Sequence, residues 1–173
     1  MQQYAVVFFP KIDVEEIQGF REKYDLQYNV IPPHITLVFP FSGISEEQIV
    51  KHIDRVIKHI KSFQIRLNGL EKSFDDYLFL RVKGGDEEII NLHDKLYSVI
   101  LVPHLRTDIP FVPHVTLGYF RTADDKFDRG LYEKAYVEAL EKDINILDNF
   151  DNVTLIKGDG LSPATIIQTF KLE

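Results

Sequence analysis

An α+β fold of two pseudo-symmetric lobes, each a mainly antiparallel sheet packed with helices, with an active-site groove between them, is predicted by three features of the sequence. Short apolar runs of strand character alternate along the chain with segments of helical periodicity. The order strand, helix, strand occurs twice, once opening on Tyr4 and again on Tyr77. Each second strand carries nearly the same phrase, IPPHITLVFP at residues 31–40 and FVPHVTLGYF at residues 111–120. Two duplicated halves of about residues 1–75 and 76–173 follow, each short, so that residues 1–173 read as one domain sharing one core.

The first half opens on YAVVFFP, a short buried strand. DVEEIQGFREKY after it has a capping-box pattern, Asp13 with Glu16, and Val14, Ile17 and Phe20 at helical spacing. IPPHITLVF is the second strand. Ser45 with Gln48 then caps a helix whose Ile49, Ile53, Val56 and Ile60 make one apolar face. FQIRLNGLEKSF closes this half as a strand. In the second half YLFLRV is a strand, a helix starts at about Asp86 with Ile89, Leu92, Leu96 and Val99 on one side, and FVPHVTLGYF is the strand that follows. GLYEKAYVEALEK is a further helix, and NVTLIKGDG with ATIIQTFKL makes two strands joined by a Gly-containing turn. The pattern does not fix the strand order.

Composition narrows the function. With 45% hydrophobic and 27% charged residues the chain is an ordinary globular one, which argues against disorder and membrane insertion. The apolar run from Ala5 to Phe9 stops at Pro10 and Lys11, too soon for a signal peptide or a membrane span. The absence of cysteine excludes a disulfide framework, a thiolate nucleophile and a thiolate metal site, which suits a cytoplasmic protein. A net charge of −7 argues against an extended nucleic-acid interface, because such interfaces draw their free energy from clustered Lys and Arg. A small anionic ligand, which needs only a few local donors, is left open.

The repeated phrase carries the chemistry. In a strand, residues i and i+2 share a face about 6.6 Å apart, so His34 lies beside Thr36 and His114 beside Thr116, while Ile35, Leu37, Val115 and Leu117 face the core. Pro33 and Pro113 belong at a strand start or edge and set each His at a fixed strand position. If an approximate twofold relates the lobes, His, Thr, Thr and His surround one point. Imidazole titrates nearest neutrality, so one ring can act as base and the other as acid. At phosphorus, one would take a proton from incoming water and the other protonate the leaving alkoxide, with the Thr hydroxyls on the non-bridging oxygens; no metal or cofactor is required. The reacting nitrogens should then lie roughly 6 to 9 Å apart. Either motif alone reads as a hydrogen-bonded His and a strand-favouring Thr. Two copies in matching strands reverse that reading, since duplication for folding alone would keep Leu and Val more readily than His and Thr.

HITL and HVTL, one in each half of a short duplicated α+β chain, resemble the paired motifs of the 2H phosphoesterase superfamily, which includes 2′-5′ RNA ligase-like and YjcG-type members. YAVVFFP and YNVIPPHITL look most like the YjcG-type group, and the resemblance covers essentially the whole chain. It implies metal-independent hydrolysis of a cyclic phosphate, commonly a nucleoside or RNA 2′,3′-cyclic phosphate, in a groove between two lobes. It further implies His34 as proton donor, His114 as proton acceptor, and Thr36 and Thr116 as phosphate ligands. Several RNA-handling relatives place basic residues directly after the second motif; here Gly118, Tyr119 and Phe120 come first, which argues against a long RNA and leaves a small cyclic nucleotide or a short RNA end as substrate. Tyr119, Phe39 and Phe41 are candidates for a base-stacking wall. Two alternatives stay open, a module that binds a nucleotide or RNA end without turnover, and an RNA end-joining enzyme.

The remaining candidates read more plainly. His104 also follows Val-Pro but has Arg106 where Thr would stand, and reads as loop. His52 and His59, seven residues apart on a helix, are about 10.5 Å apart, too far to share a metal, and with His93 read as solvated. DDKFD at residues 124–128 reads as a helix cap rather than a calcium loop. KGDG at residues 157–160 reads as a hairpin turn, with Lys157 and Arg81 as outlying candidates for phosphate contact.

Overall fold

The computed structural model describes residues 2–12, 14–73 and 75–173, so the expected cap at Asp13 lies outside the described residues. In chain order the elements are β1 (Gln3–Phe8), α1 (Val14–Tyr24), β2 (Ile35–Phe41), α2 (Glu46–Ile57), β3 (Phe63–Lys72), β4 (Tyr77–Gly84), α3 (Asp86–Leu96), β5 (His114–Tyr119), α4 (Arg129–Glu141), β6 (Asn145–Phe150), β7 (Asn152–Gly158) and β8 (Thr165–Lys171). The strands form one sheet in the order β6-β3-β4-β5-β2-β1-β7-β8, and neighbouring strands pair antiparallel. The architecture is the expected α+β one, with a four-stranded half-sheet on either side of the β2–β5 seam.

The two halves of the sequence are not the two halves of the sheet. Residue 75 falls between β3 and β4, yet β3 pairs with β4, while β7 pairs with β1. Each sequence half therefore runs strand, helix, His strand, helix and later sends a strand to the opposite half-sheet, β3 directly after α2 in the first half and β7, followed by β8, after β6 in the second. The seam itself is narrow, with β2 meeting β5 through the register pair Ile35–Val115.

Helices cover one face. α1 lies on β5, α3 on β2 and β4, α2 on α3 and β8, and α4 on β3. Ile35, Leu37, Val115 and Leu117 are completely buried there among Ile17, Phe20, Ile49, Ile53, Ile89 and Leu92. Each such side chain contributes about 1.5–3 kcal/mol by leaving water, which is why one face of each His strand is committed to the core. Local signals set the helix ends. Ser45 and Gln48 form the capping box of α2, and the Asp128 carboxylate accepts from the Leu131 N–H at 2.9 Å to start α4. Gly85 precedes α3 at φ 77°, where a Cβ would lie 2.5 Å from the Gln64 carbonyl oxygen, so only glycine fits.

Three expectations change. Val99 is not on the face of α3: the helix stops at Leu96, and Val99 is exposed with φ 50°. His52 and His93 are not solvated. Each is buried and bonds a backbone carbonyl, His52 Nε2 to Leu96 at 2.8 Å and His93 Nδ1 to Leu37 at 2.7 Å. His59 is exposed as expected, but it lies beyond the end of α2 rather than on the helix. The strand β6 carried no strong apolar signal, with Leu147 largely exposed; it forms as the outer partner of β3. No helix among the described residues is long and apolar enough to cross a membrane.

Candidate active site

The uncovered face of the sheet carries the polar positions of both repeated phrases. Antiparallel register about Ile35–Val115 sets His34 opposite Thr116 and Thr36 opposite His114. The two histidines are thus diagonal neighbours across the seam, a relation that spans about 7–8 Å. All four side chains line one cavity of about 720 Å³. Phe39, Tyr77 and Phe79 form an aromatic stretch of its wall.

Each imidazole is anchored by its own lead-in segment. His34 Nδ1 donates to the Pro32 carbonyl at 2.9 Å, and His114 Nδ1 donates to the Val112 carbonyl at 2.5 Å. A carbonyl only accepts, so the Nδ1 atoms hold the protons of the neutral rings, and Nε2 is the nitrogen left for a ligand. Part of each ring still meets solvent, yet the surrounding protein pushes both pKa values down to about 4. Burial is the main cause for both. The backbone hydrogen bonds oppose it, and for His114 the nearby His34 and Arg81 push further in the same direction. In the free site at neutral pH there are accordingly two bases and no acid.

The surroundings of the two rings differ. His114 stacks on Phe79 with centroids 3.5 Å apart, and Arg81 is its register partner on β4. His34 meets the edge of Phe9, with centroids 6.4 Å apart. Beneath the segment leading to His34 lies a buried ion pair between Arg21 and Asp25, at 2.6 Å. Arg21 Nη2 also donates to the Ile31 carbonyl at 3.0 Å, and the Asp25 carboxylate accepts from the Gln27 N–H at 2.9 Å. This clamp ties α1 to the turn that delivers Pro32 and His34. The sequence reading missed it; the available signal was the i, i+4 Arg–Asp spacing at the end of a helix.

The other candidates separate. Tyr119 does not line the cavity; it packs on Tyr77 at 4.6 Å, and Tyr77 takes the wall position. Phe41 is in the core, whereas Phe39 lines the cavity. Lys157 lies over the Tyr4 ring, 5.3 Å from its centroid. Arg81 is paired with Glu71, and its Nε is buried with no hydrogen-bond partner. A smaller hollow of about 130 Å³ opens on the far side of His34 and Thr36, against Gly158, Gly160 and Ser162 of the β7–β8 turn. Among the described residues no group of three or more His, Asp or Glu side chains is placed to hold a metal ion.

Known proteins match this chain in sequence and in fold. The model of the 2′-5′ RNA ligase superfamily matches residues 8–160. A Bacillus licheniformis protein named "putative phosphoesterase" is 30% identical over 132 residues, covering 73% of this chain and 76% of the relative. A Geobacillus kaustophilus protein of the same name is 26% identical over 97% of this chain and 95% of its own. Among solved structures, E. coli LigT complexed with 3′-AMP superposes with TM-score 0.64 at 17% identity, covering 99% of this chain and 98% of that one. TT0787 of Thermus thermophilus also gives 0.64, at 16% identity over 98% and 97%. At such identities the structural matches speak to the fold.

Proposed function

Since the chain belongs to the 2′-5′ RNA ligase superfamily, we propose that it is a phosphoesterase that hydrolyses a cyclic phosphodiester, the 2′,3′-cyclic phosphate of a nucleotide or RNA end, by proton transfer between two histidines. The observation that carries this reading is the convergence of His34, Thr36, His114 and Thr116 on one cavity, both rings tied at Nδ1 and open at Nε2. The Thr36 and Thr116 hydroxyls donate to the non-bridging oxygens. His114 Nε2 takes the proton of the attacking water, and protonated His34 gives its Nε2 proton to the departing ribose oxygen. One P–O bond forms as another breaks, and the product is a phosphomonoester. His34 ends neutral and His114 protonated, so a proton returns from one to the other through solvent before the next turn. The split into donor and acceptor follows the family motif; the geometry is nearly symmetric. Because the free rings are neutral at neutral pH, the donor's proton is taken up from solvent as the substrate binds, since the negative charge of the substrate favours a protonated ring.

The same neutrality favours a second reading, a module that binds a cyclic phosphate without turnover. The two separate on incubating the protein with 2′,3′-cyclic nucleotides in EDTA and following the monoester product. The enzyme reading expects turnover in the wild type and a loss of about 10²–10⁴ in each of His34→Ala and His114→Ala. Turnover surviving both substitutions sinks the two-histidine mechanism, and binding without turnover supports the module. Activity lost in EDTA indicates a required metal, and a product longer than either substrate indicates RNA end joining.

A further inference from the structure

The charges around the cavity constrain what the cyclic phosphate is attached to. Among the described residues four carboxylates line it, Asp25, Glu71, Asp75 and Asp108, against two cations, Lys72 and Arg106. Both cations are committed. Lys72 pairs with Asp76 at 2.9 Å, and Arg106 holds Asp108 through two hydrogen bonds of 2.7 and 2.6 Å. The guanidinium groups just behind the wall are in ion pairs too, Arg81 through Nη1 with Glu71, its buried Nε left without a partner, and Arg21 with Asp25. Asp75 accepts from the Ser73 hydroxyl and has no ion pair among the described residues, so the lining carries an uncompensated negative charge.

Resting on the phosphoesterase reading above, we propose that this site selects a cyclic phosphodiester that is the only charge on its substrate, a lone nucleoside cyclic phosphate, and rejects the same group on a molecule bearing a further phosphate. A single diester anion is met by neutral hydroxyl donors and by the proton it draws onto the histidine pair. A second phosphate adds one to two negative charges with no free cation among the described lining residues to meet them. At separations of about 8 Å, near a partly solvated surface, that repulsion corresponds to roughly tenfold in affinity. An oligonucleotide end brings further phosphates of the same kind. The Arg106–Asp108 pair acts as the selective element: it leaves the one cation on the 102–113 connection unavailable to an incoming anion.

The test compares adenosine 2′,3′-cyclic phosphate with the same nucleotide carrying a 5′-phosphate, by kcat/KM and by calorimetric Kd. The wild type should favour the singly charged nucleotide about tenfold in both. The preference should shrink at high salt, which a steric cause would not produce, and shrink at least threefold in Asp108→Asn, which frees Arg106, or in Asp75→Asn, which removes the uncompensated charge. Equal affinity and turnover for the two nucleotides, or a preference unmoved by salt and by both substitutions, overturns the inference and leaves the phosphoesterase reading standing. A preference in Kd with turnover of neither nucleotide does the reverse.

Discussion

The two catalytic candidates share one electrostatic predicament, and it makes a kinetic prediction. With both pKa values near 4, the free protein holds one proton on the pair only under acid conditions, and the protons belong to the pair rather than to either ring. Since kcat/KM reports the free enzyme and kcat the complex, the kcat/KM optimum should fall about one pH unit or more below that of kcat. Steady-state rates from pH 4 to 8 with a 2′,3′-cyclic nucleotide measure the gap, and coincident optima near neutrality count against a proton taken up as the substrate binds. His34, Thr36, His114 and Thr116 were legible in the sequence because a two-residue period fixes which side chains share a face. Tyr119 was not placed by that period, which would set it with Val115 and Leu117 on the core face. The register shift between Leu78 and Phe79 breaks the alternation, so that Gly118 faces Tyr24 of α1 and Tyr119 is left against Tyr77.

Among the elements, the His strands need outside support because their shared ladder is short. α3 supplies part of it: His93 bonds the Leu37 carbonyl, and the Tyr97 hydroxyl accepts from the Phe39 N–H at 2.9 Å, just past Thr36. The Phe111 ring, which leads into β5, stacks on His93 at 3.6 Å, so one helix braces both strands. Neither contact was readable beforehand, since a His one position off an apolar helical stripe looks the same whether its partner is water or a distant carbonyl. The Arg21–Asp25 clamp braces the lead-in to His34. Arg21→Ala strands a buried carboxylate and the Ile31 carbonyl, and should cost about 3–5 kcal/mol in urea unfolding. Replacing both partners, as Arg21→Met with Asp25→Leu, should recover most of that stability while cyclic-phosphate turnover stays low, because Pro32 and His34 lose their tether. Full activity in the double variant would show that the clamp serves folding alone.

At the scale of the whole molecule, the crossing of β3 and β7 ties each half-sheet to both halves of the chain, so the support of the site draws on strands from the whole length of the sequence. This exchange was invisible to a reading that stopped at the order of elements, because strand pairing across the midpoint leaves no local signature. Its consequence is that the strain of assembling the site is charged to global stability. An unfolded imidazole takes its proton near pH 6.5, whereas His34 and His114 in the folded protein take theirs only near pH 4. Between those values the unfolded chain binds more protons, so acidification favours unfolding. The contribution of the two rings is whole above about pH 6.5 and is lost progressively as the pH falls towards 4. The buried His93, also shifted down, acts in the same direction. Thermal unfolding at pH 7 and at pH 4.5 isolates the site's share: the wild type should lose more of its melting temperature than the His34→Gln, His114→Gln double variant, in which only His93 among these three rings remains. The depressed carboxylates Asp76, Asp108 and Asp151 are common to both proteins and cancel in the difference. Equal losses in the two proteins would mean that the histidine pair is not held neutral by the fold, and with it would go the requirement that the catalytic proton be taken up as the substrate binds.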